Sequence, residues 1–205
     1  MGLFKEIHCA HCGKKTNLVM RKRLKDDQYV CTSCTVGIPS YINLDDYDYQ
    51  AFQNLKAYLA ESENELKKMF RENHEYSQIH LDTEHSLFYV GEFGKHLYLK
   101  LENLEEFELE FTPDKVKEGI LNDKVTGKIM LRMKMAEPYF FKEEVLDYSA
   151  KASAEVKGIF NKKAVYSNPK GMDEFLQFFN SAWRSAVDRK YGRLLAEMEQ
   201  NGQNI

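Results

Sequence analysis

The chain has 205 residues, 43% of them hydrophobic, which suits one large or two small domains with a core of their own. Its 29 Lys/Arg against 32 Asp/Glu give a formal charge of −3 and a pI near 6.1, which excludes the basic footprint of a chain-wide nucleic-acid binder. No apolar run approaches the roughly 20 residues of a membrane helix.

Met1 to His8 is too short and too polar for a signal peptide, and Glu6 stands where a myristoylation signal wants Ser or Thr. The expected location is therefore the cytoplasm. In a reducing compartment paired cysteines bind metal or do redox work rather than form structural disulfides.

All four cysteines fall in the next segment, as Cys9-x-x-Cys12, eighteen intervening residues, and Cys31-x-x-Cys34. That spacing fits a four-cysteine structural zinc site. Each C-x2-C turn aims two sulfurs at one point, and two such turns joined by a hairpin complete a tetrahedral shell with Zn–S distances of about 2.3 Å. Gly13 supplies the positive φ that lets a backbone N–H turn towards sulfur. Lys25-Asp26-Asp27-Gln28 is the polar turn of that hairpin, with Leu18, Met20 and Leu24 before it and Tyr29-Val30 after it. A thioredoxin-like redox pair would need a βαβ context that the sequence does not show, and an iron–sulfur cluster is rarer at this symmetric spacing. His8 and His11 flank the first pair but find no vacancy in a four-thiolate shell, so they are expected at the surface. A closed shell also argues against catalysis.

Residues 1–40 hold seven Lys/Arg against three Asp/Glu. Lys14, Lys15, Arg21, Lys22, Arg23 and Lys25 make a basic cluster with two readings, a phosphate-contacting patch for nucleic acid or a solvated hairpin face. Strand alternation keeps Arg21, Lys22 and Arg23 from sharing one face.

Gly37-Ile38-Pro39-Ser40 ends this unit. Asp45 and Asp46 then precede a helical pattern carried by Leu55, Tyr58, Leu59, Leu66, Met69 and Phe70, running to about Glu72. Ser62-Glu63-Asn64-Glu65 has the form of a capping box, which predicts a break and restart there. From Ser77 the period drops to two. Ile79 and Leu81 pair with Leu87 to Val90 across the turn Asp82 to His85. Leu97, Leu99 and Leu101 alternate with polar residues, and so do Phe107, Leu109 and Phe111 with Glu106, Glu108 and Glu110. Gly127 to Met135 is another alternating strand. Between 139 and 166 the pattern is mixed: Phe140-Phe141 and Val145-Leu146 fit a strand, Ala150 to Val156 a helix, and Ile159 to Val165 an extended segment. From Met172 to Met198 apolar residues recur at i, i+3, i+4 and i+7, predicting one long helix anchored by Phe175, Phe179 and Trp183, with Arg184, Arg189, Lys190 and Arg193 on a solvated side.

The expected fold class is α+β: a zinc ribbon over 1–38, a helical connector over 39–75, and over 76–200 an antiparallel β-barrel or curved sheet with a long C-terminal helix. That element order is the one found in pleckstrin-homology-like (PH-like) domains. The string Cys9-x-x-Cys12-Gly13-Lys14-Lys15 through Cys31-x-x-Cys34 resembles the ribbon of a bacterial four-cysteine zinc-ribbon family of unknown function, whose members join the ribbon to a module that is often PH-like. The resemblance implies one zinc on Cys9, Cys12, Cys31 and Cys34, and implies no activity.

No phosphate loop, nucleophile elbow or H-E-x-x-H helix is present. His80 and His85 flank one turn and could pair on a metal with Asp82 or Glu84, but spacing alone does not make their ligand atoms converge. The acidic row Glu102, Glu105, Glu106, Glu108 and Glu110 is expected to be a solvated face. Two functions remain. One is a non-enzymatic adaptor contacting a protein, a peptide or a peripheral membrane surface. The other is nucleic-acid binding through the basic hairpin.

Overall fold

The structure is a computed structural model describing residues 7–17, 19–39, 42–91, 97–113, 124–136, 144–160 and 163–202. It is a mixed α+β fold with several antiparallel sheets and one long C-terminal helix. The N-terminal unit is held by two short ladders, β1 (Ile7–His8) with β2 (Lys15–Thr16) and β3 (Arg21–Arg23) with β4 (Tyr29–Cys31). Asp27, with φ at 63°, makes the expected β3–β4 turn.

A 3-10 turn at Leu44–Asp46 leads into α1 (Tyr49–Glu61). The expected acidic start, Asp45 and Asp46, lies in that turn instead. The N-cap is Asp48, whose side chain accepts the Ala51 N–H at 2.8 Å. The helix does not restart at Ser62 as a capping box would require. It widens into a π-helical stretch over Ser62–Leu66 and continues as α2 (Lys67–Met69). The reason is tertiary: Ser62 is fully buried, and its Oγ accepts the Tyr98 N–H at 2.9 Å rather than capping its own helix.

The first large sheet runs β5 (His74–Tyr76), β6 (Ile79–Asp82), β7 (Leu87–Val90) and β8 (Leu97–Lys100) in sequence order. Its register pairs Ile79 with Val90, Leu81 with Phe88 and Phe88 with Leu99, so one face of β6, β7 and β8 is uniformly apolar and buried. The opposite face carries Tyr89 and Tyr98, which pack against Phe70 just after α2 at ring distances of 5.2 and 5.1 Å. At the edge of β8, Tyr98 turns outward. Ser62 accepts its N–H, and the Tyr58 hydroxyl donates to its carbonyl at 2.9 Å. Both backbone groups that a further strand would need are thus taken by the α1–α2 helical run.

The second sheet has the order β12-β11-β10-β9, with β9 at Leu104–Pro113, β10 at Lys124–Met135, β11 at Glu144–Phe160 and β12 at Lys163–Tyr166. Among the described residues no ladder joins the two large sheets, so the closed-barrel form of the expectation is corrected: the sheets are open. The blocked β8 edge and the 3-10 turn Leu101–Asn103, which follows β8 directly, account for this. The helix read at Ala150 to Val156 is also corrected. Those residues lie inside one 17-residue strand, where pairing with β10 over Lys124 to Met133 overrides a weak local pattern. Phe140 and Phe141 fall outside the described residues.

α3 (Met172–Gly202) closes the core. Phe179 is fully buried between the sheets, edge-on to Phe88 at 5.6 Å and stacked on Phe107 at 3.8 Å. Trp183 donates its Nε1–H to the Leu104 carbonyl at 2.9 Å.

Candidate metal centre

The first cysteine pair sits on a turn between β1 and β2. The Cys9 N–H donates to the Lys14 carbonyl at 2.9 Å, and the Gly13 N–H donates to the Cys9 carbonyl at 2.8 Å. Gly13 has φ of 70°, as its position after the pair predicts, but its N–H serves this turn and not a sulfur. The second pair begins at the end of β4, where the Cys34 N–H closes on the Cys31 carbonyl at 2.9 Å. Two bonds tie the knuckles together: the Ala10 N–H to the Tyr29 carbonyl at 2.8 Å, and the Cys31 N–H to Cys9 Sγ at 3.3 Å. Such N–H donation to sulfur steadies a thiolate.

All four Sγ atoms lie within 4.8 Å of one another. Three separations are 3.8 Å for Cys9–Cys34, 3.7 Å for Cys12–Cys31 and 3.5 Å for Cys31–Cys34. A tetrahedron with metal–sulfur bonds of about 2.3 Å has edges of about 3.8 Å, so the donor set fits a tetrahedral ion such as zinc. A disulfide would need about 2.05 Å, and all four cysteines are free. Cys9 and Cys31 are buried, Cys34 half-buried and Cys12 exposed, so the cluster has a closed side and an open one.

The electrostatics follow from crowding. Burial alone would raise the Cys9 thiol, but the N–H groups of Cys12, Cys31 and His11 outweigh it and bring the pKa down to about 6. Burial and the neighbouring sulfurs push Cys34 the other way. One thiolate suppresses the next when no cation is present, and a divalent cation reverses that order and releases protons.

The cluster rests on α1 through residues the sequence did not single out. The Tyr49 hydroxyl donates to the Ala10 carbonyl at 3.0 Å, and His11 meets Phe52 edge-on at 5.6 Å. The Tyr49 N–H donates to Asp26 in the β3–β4 turn at 3.1 Å. The only sequence signal was that Tyr49 and Phe52 lie three apart at the start of a helix.

The basic residues are at the surface as expected. Lys14, Lys15, Lys22, Arg23 and Lys25 are exposed, and Arg21 is half-buried with its guanidinium 4.2 Å over the Tyr29 ring. Arg23 is bridged to Asp27. His80 and His85 do not converge. His85 Nδ1 bonds Asp82 at 2.8 Å, whereas His80 Nδ1 faces Glu72 at 2.8 Å and Glu75 at 3.8 Å. The Glu72–Glu75–His80 group is the second convergent set among the described residues, and the hydrogen bond between His80 and Glu72 on a surface face accounts for it. The acidic row is cross-paired: Glu105 and Glu106 with Lys134, Glu108 with Arg132, and Glu102 with Arg193.

No family model matches the chain, and neither a curated protein nor a solved structure is similar to it. The resemblance to the four-cysteine family therefore gains no support beyond the cysteine cluster itself. No helix among the described residues is long and apolar enough to cross a membrane.

Proposed function

We propose that this chain is a non-enzymatic metal-binding adaptor in which Cys9, Cys12, Cys31 and Cys34 hold one structural zinc ion. The observation that carries the reading is the set of sulfur separations between 3.5 and 3.8 Å. Four thiolates close the shell, leaving no position for substrate or activated water, so the ion works as a staple. Residues 1–38 then form a metal-dependent ribbon, 39–75 a helical connector and 76–200 a PH-like module that contacts a protein, peptide or membrane surface. Two four-stranded antiparallel sheets followed by a helix support the last assignment by fold analogy alone. Metal analysis of the purified chain tests the staple: one zinc per chain is expected, and iron with visible absorbance, or no metal after purification without chelator, defeats it. Cobalt substitution gives a second readout, since four-thiolate Co²⁺ has intense thiolate-to-metal absorption.

A second reading keeps the same zinc and assigns Lys14, Lys15, Arg21, Lys22, Arg23 and Lys25 to nucleic-acid phosphate. It is favoured by the exposure of five of these side chains on one small unit. A salt titration of DNA and RNA binding separates the two. Steep loss of affinity with salt, reduced by Arg21→Ala and Lys22→Ala, supports the second reading, and salt-independent or absent binding supports the first.

A further inference from the structure

The charge of the ribbon is polarised along its length. Residues 7–44 carry Lys14, Lys15, Arg21, Lys22, Arg23 and Lys25, and their acidic residues are Asp26 and Asp27. Both acids sit in the β3–β4 turn and are engaged there. Asp27 bridges Arg23, and Asp26 accepts the Gln28 amide at 2.9 Å and the Tyr49 N–H at 3.1 Å. The register of Arg21 with Cys31 and Arg23 with Tyr29 puts that turn at one end of the hairpin and the segment joining β2 to β3 at the other. The joining segment is apolar at its tip: Val19 is 89% exposed and Met20 53%. Its backbone polar groups are met from within. Asn17 Oδ1 accepts the N–H of Val19 at 3.1 Å and of Met20 at 2.9 Å. The Met20 carbonyl accepts the Thr16 hydroxyl at 2.9 Å and the Thr32 N–H at 3.1 Å. A turn in water has no need of such closure, whereas one that enters an apolar medium does, because an open N–H or C=O is costly there.

We propose that the Val19–Met20 tip inserts into an anionic lipid surface, with Lys15, Arg21 and Lys22 on either side of it drawn to the headgroups. Apolar insertion or cationic attraction alone holds a protein to a membrane weakly, and the two together supply the pair of signals that peripheral binding needs. Nucleic acid matches these observations less well. Phosphate contact would use the cations but leave Val19 and Met20 in water. Tyr29, the aromatic residue of the same hairpin, has one ring face covered by the Arg21 guanidinium at 4.2 Å rather than offered to a base. The contact belongs to the ribbon and is additional to the one assigned to residues 76–200. It rests on the zinc reading only in that the ion holds β2 and β3 in this arrangement.

The test is co-sedimentation of the full chain with vesicles of phosphatidylcholine alone and of phosphatidylcholine with about 30% phosphatidylserine. Binding is expected to the second and not to the first, weakening as salt rises. Val19→Ser with Met20→Ser keeps every charge and leaves the backbone bonds of the turn in place, so it should weaken binding roughly tenfold or more at unchanged metal content. Lys22→Ala should weaken it about fivefold. Binding that ignores the double serine change, or that is equal on both vesicles, overturns an apolar tip flanked by cations as the contact. Absence of vesicle binding also overturns it, and salt-sensitive binding of the same chain to DNA or RNA would then give the basic residues to nucleic acid. Zinc content measured on the same samples keeps this outcome apart from that of the staple. One zinc without vesicle binding overturns the lipid contact alone, vesicle binding without zinc overturns the staple alone, and the lack of both overturns both.

Discussion

The ribbon and the body solve one problem by opposite means. The body's strands run up to 17 residues, and its core places Phe52, Phe88, Phe179, Leu99 and Leu131 out of solvent altogether. The ribbon has strands of two or three residues, and among its described side chains Cys9, Leu24, Val30, Cys31 and Ile38 are the buried members of the hydrophobic core. Two of those five are the proposed metal ligands. Burial of that size does not offset the ordering entropy of some thirty residues, at about 1–2 kcal/mol for each backbone unit. The body is held by apolar area, and the proposed ion would supply what the ribbon lacks.

The largest effect should come from taking that ion away. Structural zinc in comparable small modules supplies about 10–16 kcal/mol, so chelation or Cys31→Ser should unfold residues 7–38. The body should not follow. Trp183 is the chain's single tryptophan and lies in the body, bonded to Leu104. Its emission should stay constant while the tyrosine signal from Tyr29 and Tyr49 changes. A Trp183 shift in step with metal loss would mean that the Tyr49 and Phe52 contacts join both units into one cooperative fold. The converse variant is Phe179→Ala, which empties the position between Phe88 and Phe107 and should cost about 3–5 kcal/mol. It should lower the Trp183 melting transition and leave the zinc content unchanged.

How much of this could be read in advance differs between the two regions for physical reasons. The cysteine cluster was legible because sulfur chemistry ties convergence to a local spacing: Cys9-x-x-Cys12 and Cys31-x-x-Cys34 name in the sequence the four side chains that meet. The hairpin strands at Ile79, Leu81, Leu87 to Val90 and Phe107 to Phe111 were legible because one buried face imposes a period of two. Ser62 was not, because its partner, the Tyr98 N–H, lies 36 residues away and local spacing described a cap. Ala150 to Val156 failed likewise, since pairing with β10 is long-range. The end of α3 gave the right periodicity, but spacing cannot say which face looks inward. That was decided by Arg189, Lys190 and Arg193, expected to be solvated, whose partners Ser86, Glu102 and Asn103 are on other segments.

A smaller and more local effect is expected at Gly127, opposite Pro113 in the β9–β10 ladder. A Cβ there would lie 2.7 Å from the Pro113 Cα and 2.8 Å from the Phe111 ring, and would also collide with the Thr112 carbonyl. Backbone cannot step aside as a side-chain tip can. Gly127→Ala should therefore cost about 1–3 kcal/mol of body stability, read as a lower denaturation midpoint by Trp183. Metal content should again be unaffected. A neutral result would show that the second sheet yields where the first, pinned by Tyr58 and Ser62, does not.

An effect of similar size separates the regions by their response to acid. Asp82 has no exposed surface, yet its carboxylate accepts the N–H groups of Arg71 at 2.7 Å, Glu84 at 3.0 Å and His85 at 3.0 Å, and bonds His85 Nδ1 at 2.8 Å. Burial alone would raise its pKa, but those donors outweigh burial and hold it below the ordinary carboxyl value. A depressed folded pKa means the ionised form favours the native state. That stabilisation is complete above the unfolded value of about 3.9 and disappears as pH falls through the lower folded one. Asp82→Asn keeps one acceptor oxygen and aims an NH₂ at backbone donors, so it should cost about 1–3 kcal/mol at neutral pH. The gap between wild type and variant should then narrow only below about pH 4, since protonation removes from the wild type what the amide already lacks. In the ribbon, acid acts through proton competition with the metal for thiolate, which starts at higher pH because thiols bind protons more tightly than carboxylates do. Zinc release should therefore begin before the Asp82-dependent loss of body stability. If both were lost over one pH range, with Trp183 following the metal, ribbon and body would share a single acid transition and the contrast between them would fail.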